Sequence, residues 1–252
     1  MYFIYNGFTI ANYMTNKILY IDIETSKKGK IKDVGAIFNG QELHEKQLGK
    51  LEGWIKEAKY ICGHNIVAHD IPLLKKVLGS EIFQDKRIID TLLWSPIIFN
   101  DNPYHKLVKG YKIVNDSDYN NPLSDCILTK QLLIDELNRF NELDNNSQQI
   151  YANLLASNTA YSGFLDLINF RTQPIDIDIQ INKLFKNKVC ENSNIYKIAK
   201  EAPVELAYAY ALISTKEDKS VLAYWISHTF PKTAQIVNDL RFKHCNEPTC
   251  NY

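Results

Sequence analysis

The chain reads first as a succession of apolar runs whose period changes. Ile18-Leu19-Tyr20-Ile21-Asp22-Ile23-Glu24-Thr25 is β-branched and aromatic until it ends in two carboxylates, the pattern of a buried strand with polar chemistry at its tip. Strand side chains alternate, so Asp22 and Glu24 share a face. Ile31 to Phe38 reads as a second strand, Asn39-Gly40 as a hairpin turn, and the more polar Gln41 to Leu48 as an edge strand pairing back. Three antiparallel strands therefore open the domain.

Leu51 to Lys59 then carries Leu51, Trp54, Ile55 and Ala58 at helical spacing. Tyr60 to Asn65 is a short strand broken at Gly63, and Ala68 to Leu78 a helix ended by Gly79, with Asp70 in its first turn. Arg87 to Asp90 is a further strand. Thr91 to Trp94 begins a helical turn that Pro96 is expected to stop, and an irregular segment rich in Asn, Asp, Pro and Tyr runs to Asn121. Asn121-Pro122 reads as an N-cap with proline at the first helical position, opening a helix to about Leu143 that presents Asp125 on the same face as Leu128 and Leu132. After a polar break at Asp144-Asn145-Asn146 comes Gln148 to Ile168, and then helical patterns over Ile179 to Val189, Pro203 to Ile213 and Val221 to Leu240, the last with a core-like stripe of Val221, Tyr224, Trp225 and His228. The expected organisation is an extension over residues 1–16, an α/β domain over 17–145 and a helical region over 146–252.

Composition narrows the function. The 252 residues carry 29 basic and 29 acidic side chains, so there is no global basic footprint, and a polyanion must be gripped locally. Lys106 and Lys109 would form such a local stripe if they share a helical turn; a solvated lysine face is the other reading. Five cysteines, an odd number, with no secretory leader suggest a reducing, cytoplasmic setting. No run approaches transmembrane length, and no membrane partner is expected. His244, Cys245 and Cys250 supply three of the four ligands that a structural zinc needs.

Two carboxylates as close as Asp22 and Glu24 repel unless a cation lies between them, which points to a hard divalent metal such as Mg²⁺ or Mn²⁺. Asp125, on a face shared with core leucines, likewise needs a partner, because burying it alone would cost several kcal/mol.

These acids and their surroundings resemble the DEDD superfamily of 3′ to 5′ exonucleases. Asp22-Ile23-Glu24-Thr25 matches the first motif; His64-Asn65-Ile66-Val67-Ala68-His69-Asp70-Ile71-Pro72-Leu73-Leu74 fits the second, with His69 where an aromatic is usual; Pro122-Leu123-Ser124-Asp125 fits the third. The resemblance covers roughly residues 17 to 143. It implies a ribonuclease H-like mixed sheet with helices on both faces. It also implies two divalent ions, Mg²⁺ or Mn²⁺, held about 3.5–4 Å apart by Asp22, Glu24, Asp70 and Asp125 for hydrolysis of a terminal phosphodiester. The implied substrate is a single-stranded 3′ end, DNA ahead of short RNA, with Thr25, Asn65, Lys106 and Lys109 as contacts.

One departure concerns the general base, because the positions where the family carries histidine or tyrosine are Asn120 and Asn121, whose amides have no useful proton affinity. Three arrangements remain open: His105 serves as the base, the metal's water needs none, or the domain binds nucleic acid ends with little turnover. His64 is read as steadying its turn and the neighbouring carboxylates, and His69, next to Asp70, as packing or lining the cleft. The succession of exonuclease-like domain, helical region and cysteine-containing end is also similar to the N-terminal part of RecQ-type helicases with a fused exonuclease, which implies a helicase partner beyond Tyr252.

Overall fold

The computed structural model describes residues 17–102, 105–107, 121–185, 189, 193–215 and 221–241. These form two compact units. The first holds the described residues up to Leu93, those between Lys106 and Leu137, and Thr159–Ile168; the second holds Trp94–His105, Asn138–Asn158 and those from Asn169 onward. The division departs from the expected break at 145, because a helix lying beyond that point belongs to the first unit.

The first unit is α/β. Its five strands are β1 (Ile18–Thr25), β2 (Ile31–Phe38), β3 (Gln41–Glu45), β4 (Tyr60–Gly63) and β5 (Arg87–Asp90), in the order β3-β2-β1-β4-β5. The three opening strands are antiparallel, and β1, β4 and β5 are parallel, so the sheet is mixed. The turn predicted at Asn39-Gly40 is present, with both residues at positive φ. In β1, Leu19, Ile21 and Ile23 point into a core shared with Val34, Ala36 and Phe38 of β2. Leu51, Trp54 and Ile55 of α1 (Gly49–Glu57) and Ile71 and Leu74 of α2 (Asp70–Leu78) complete that core. A one-residue slip of β1 would exchange three buried aliphatic chains, each contributing about 1.5–3 kcal/mol, for Tyr20, Asp22 and Glu24. The register is therefore fixed by the same alternation that sends the two acids to the other face.

A short 3₁₀ turn (Glu81–Phe83) leads to β5, and α3 (Thr91–Ile98) follows. Contrary to expectation, α3 runs through Pro96, and Phe99 N–H still reaches the Ser95 carbonyl at 2.8 Å. Proline inside a helix costs about 3 kcal/mol. Burial of Trp94, Ile97 and Ile98, each at most 2% exposed, offsets it.

The long helix α4 spans Pro122–Glu142, starting where the Asn121 cap predicts. Two helices follow: α5 (Asn145–Leu155), capped by Asp144 through the Asn146 and Ser147 amides, and α6 (Thr159–Leu167). Helix α6 packs on β5, and its Gly163 makes this approach feasible, because a Cβ there would stand 2.1 Å from the Ile88 carbonyl oxygen.

The second unit gathers α7 (Ile177–Leu184), α8 (Ile195–Glu201), α9 (Pro203–Ser214), α10 (Tyr224–Thr229) and α11 (Lys232–Arg241) with α5. Helix α9 is buried on nearly every side, with Tyr210 edge-on to both Tyr151 and Phe185. The predicted helix over 221–240 is broken at Phe230, which precedes Pro231 and is held outside the α region (φ −128°, ψ 69°). Its proposed core stripe is also corrected. Val221 and Tyr224 are exposed, while Ile226, Ile236 and Leu240 face inward. Among the described residues no helix is long and apolar enough to cross a membrane. Cys190, His244, Cys245, Cys250 and Lys109 lie outside the described residues.

Candidate metal centre

Because β1, β4 and β5 are parallel, their C-terminal ends emerge on one side of the sheet, the side at which ligands gather in open α/β sheets. Asp22 and Glu24 occupy that end of β1, on the face opposite the aliphatic core. In the antiparallel pairing with β2, Asp22 stands across from Gly35. A Cβ on residue 35 would lie 2.2 Å from the Pro122 carbonyl carbon and 2.3 Å from the Leu123 nitrogen. The missing side chain lets the first turn of α4 rest directly on the sheet beside Asp22. Asn121 fixes that turn, its Oδ1 accepting from the Leu123 and Ser124 amides at 3.1 and 3.3 Å. Three residues into the helix, Asp125 meets Asp22 and Glu24, and one carboxylate oxygen from each lies within 4.8 Å of the others.

Asp70 is brought to the same charges by a second device. The turn after β4 carries Asn65 at φ +65° and is pinned by the Asp90 carboxylate. Asp90 Oδ1 accepts from the Asn65 and Leu92 amides (2.8 and 3.0 Å), and its Oδ2 accepts from the Val67 amide at 3.0 Å. Asp70 then begins α2, only 2% exposed, and accepts a hydrogen bond from the Ile23 backbone N–H. Its Oδ1 is buried without a hydrogen-bond partner among the described residues, and its Oδ2 lies 3.5 Å from His69 Nδ1.

The electrostatics follow from this crowding. Burial, reinforced by Asp70, Asp125 and Glu24, pushes the Asp22 carboxyl up to about 8, with His69 opposing. Burial also raises Asp70. The His69 imidazole is raised in turn by its hydrogen bond to Asp70 and by the charges of Asp70, Asp22 and Glu24. The buried Cys126 thiol, next to Asp125 in sequence, is pushed up by burial and by the same three aspartates. An all-oxygen donor set, a buried oxygen lacking a partner among the described residues and a carboxyl raised by burial and by neighbouring acids together fit a hard divalent cation. Asp22, Glu24 and Asp125 would hold it directly, with Asp70 beside them.

The structure thus brings Asp22, Glu24 and Asp125 together, with Asp70 acting on Asp22 through its charge, and it leaves His69, for which packing and cleft lining were both open, 44% exposed beside Asp70. Thr25 lies half-buried after an irregularity in the β1–β2 pairing, and Asn65 and Lys106 are exposed. His64 Nδ1 pairs with the Thr91 hydroxyl at 2.9 Å, which ties the end of β4 to the start of α3. His105 belongs to the second unit. It is 7% exposed, paired through Nδ1 with Ser95 Oγ at 2.9 Å, and burial pushes it down to about 4. Gly35 and Asp90 escaped the sequence reading; Asp90 registered only as a strand end. Behind Asp90, the fully buried Glu136 has both carboxylate oxygens without a hydrogen-bond partner among the described residues. Burial, then Asp90 and Asp135, raises it well above the ordinary range.

No protein-family model matches the chain, and no curated protein or solved structure matches it.

Proposed function

We propose that the chain is a divalent-metal-dependent 3′ to 5′ exonuclease that hydrolyses terminal phosphodiesters of single-stranded DNA, on a sheet of ribonuclease H-like kind. The observation that carries this reading is the convergence of Asp22, Glu24 and Asp125 from two elements a hundred positions apart, with ligand oxygens within 4.8 Å. The buried, unpartnered oxygen of Asp70 supports it, as does the strand arrangement of three antiparallel strands followed by parallel ones. Bound at these oxygens, Mg²⁺ or Mn²⁺ supplies countercharge and Lewis acidity toward a phosphoryl group and water. The chain's own part is to hold the carboxylates close before a cation arrives, with Asp90 fixing the turn before Asp70 and Gly35 admitting Asp125. Thr25 and Asn65 stand at the strand ends for contacts to the terminal nucleotide.

A second reading, a module that binds nucleic acid ends with little turnover, is favoured by His105. An imidazole held near 4 is a poor proton acceptor, and burial is the influence that sets it. Incubation of 3′- and 5′-labelled single-stranded DNA and RNA with Mn²⁺, Mg²⁺ or EDTA separates the readings. Stepwise shortening from the 3′ end, lost in Asp22→Ala and in EDTA, is expected. Binding without shortening selects the module, and a preference for RNA selects an exoribonuclease.

A further inference from the structure

The first unit carries a cavity of about 660 Å³ between α2, the 3₁₀ turn, the start of β5 and the first turn of α6. Its size is that of a small-ligand site, roughly 300–1,000 Å³. Lys75, Lys86 and Arg87 line it, no Asp or Glu does, and the chain as a whole has no net charge. The cavity is therefore a local concentration of positive charge on a neutral molecule.

The three cations are not equivalent. Lys86 Nζ donates to the Lys56 and Ala58 carbonyls at 2.7 and 2.8 Å and is occupied in holding the fold. Arg87 approaches Asp166 only at 4.0 Å, and that carboxylate already accepts from Tyr60 Oη at 2.6 Å and faces Lys59 at 3.4 Å, so most of the guanidinium's donors stay open. Lys75 is exposed and has no ion pair among the described residues. Apolar side chains such as Phe83 and Ile71 complete the wall, with the Thr159 and Ser162 hydroxyls at the rim. Spaced cations over an apolar wall suit a chain of phosphates bearing bases better than a single compact anion.

Helix α2 ties this cavity to the acids. It begins with Asp70 and reaches Lys75 five residues later, roughly 7.5 Å along its axis. We propose that the cavity receives the sugar–phosphate backbone of a single strand behind its terminal nucleotide, with Lys75 and Arg87 as the phosphate contacts. The assignment rests on the nuclease reading for the direction of the strand but not for the binding itself.

Binding of a fluorescent oligothymidylate in EDTA tests the site without chemistry. Lys75→Glu and Arg87→Gln, both at exposed positions, are each expected to weaken binding by about five-fold and to reduce the salt slope by about 0.7 per charge neutralised. With Mn²⁺, kcat/KM for the long strand is expected to fall more than for a dinucleoside monophosphate, which has no phosphate beyond the scissile one to place in the cavity. Unchanged binding of the oligothymidylate in both variants, with thermal melting showing them folded, overturns the proposal. So does equal displacement of the strand by polyglutamate of matched charge, since that would mark an acidic-peptide site. If the parent protein cleaves nothing yet loses oligothymidylate in both variants, the cavity assignment stands and the nuclease reading falls.

Discussion

Gly35 and Pro122 are 87 positions apart, yet no side chain could stand between them: a Cβ on residue 35 would lie 2.2 Å from the Pro122 carbonyl carbon. That distance sets how closely α4 lies on β2, and so whether Asp125 reaches Asp22. Gly35→Ala is expected to push the first turn of α4 off the sheet, costing about 1–3 kcal/mol of stability and lowering Mn²⁺ affinity about 10- to 100-fold. Gly163→Ala, which meets the Ile88 carbonyl at 2.1 Å, is the control. It should destabilise comparably while Mn²⁺ titration calorimetry changes by less than a factor of three or so. Equal metal affinity in Gly35→Ala and the parent would refute the coupling.

Asp22 makes stability depend on pH in a direction opposite to that of a salt-bridged acid. Its carboxyl is near 3.8 when unperturbed and about 8 in the fold, so between those values the folded chain keeps a proton that the unfolded chain has lost. Stability therefore falls as pH rises through this window, and the loss is complete above about pH 8. Glu136, also raised, adds to the same slope. In EDTA the melting temperature should drop from pH 5 to pH 8 by the equivalent of about 1–3 kcal/mol, allowing for screening at a partly open cleft. Asp22→Asn should remove part of the drop, and Mn²⁺ should stabilise more at pH 8 than at pH 5. A flat profile in EDTA would contradict this account.

Asp90 acts through the turn that it pins. In Asp90→Asn the amide oxygen can still accept from two of the three backbone amides, but the NH₂ must face the remaining donor, an arrangement costing about 1–3 kcal/mol when buried. Urea melts should register that loss. Hydrogen exchange should quicken at residues 65–67 ahead of the rest of the sheet, and uniform quickening would argue against a local role.

His105→Ala should lower stability by about 1 kcal/mol through loss of the Ser95 bond, and turnover at saturating substrate by less than about tenfold. A loss of about 10²- to 10⁴-fold, with a changed pH–rate profile, would instead identify His105 as the proton acceptor.

Much of the first unit was legible because local rules and the fold agreed. The β1 alternation, the Asn39-Gly40 turn, the Asn121 cap and the helix opened at Asp70 all obey short-range chemistry. The site's supports were not legible, because each is a long-range fact. Gly35 looks like an ordinary weak point in a strand until α4 is laid over it, and Asp90 looks like a strand end until three amides turn toward it. The sequence offers His69 both packing and a place in the cleft, and the choice is not local, because it depends on Asp22 and Glu24 as well as on its neighbour Asp70. Pro96 and Pro231 show the same limit from both sides. Burial carried a helix through the first, and at the second the restriction on Phe230 was stronger than the apolar periodicity.

The contact of Gly163 with Ile88 has a consequence for how the molecule meets its own kind. By laying α6 along β5, it shields that flank of the sheet from any incoming extended peptide. At the far flank, β3 is five residues long and exposes Glu42, His44 and Glu45, the short, polar kind of edge that discourages pairing with another strand. Among the described residues both edges of the sheet are therefore poor templates for a further strand, one because a glycine lets a helix lie against it and the other because it is short and polar.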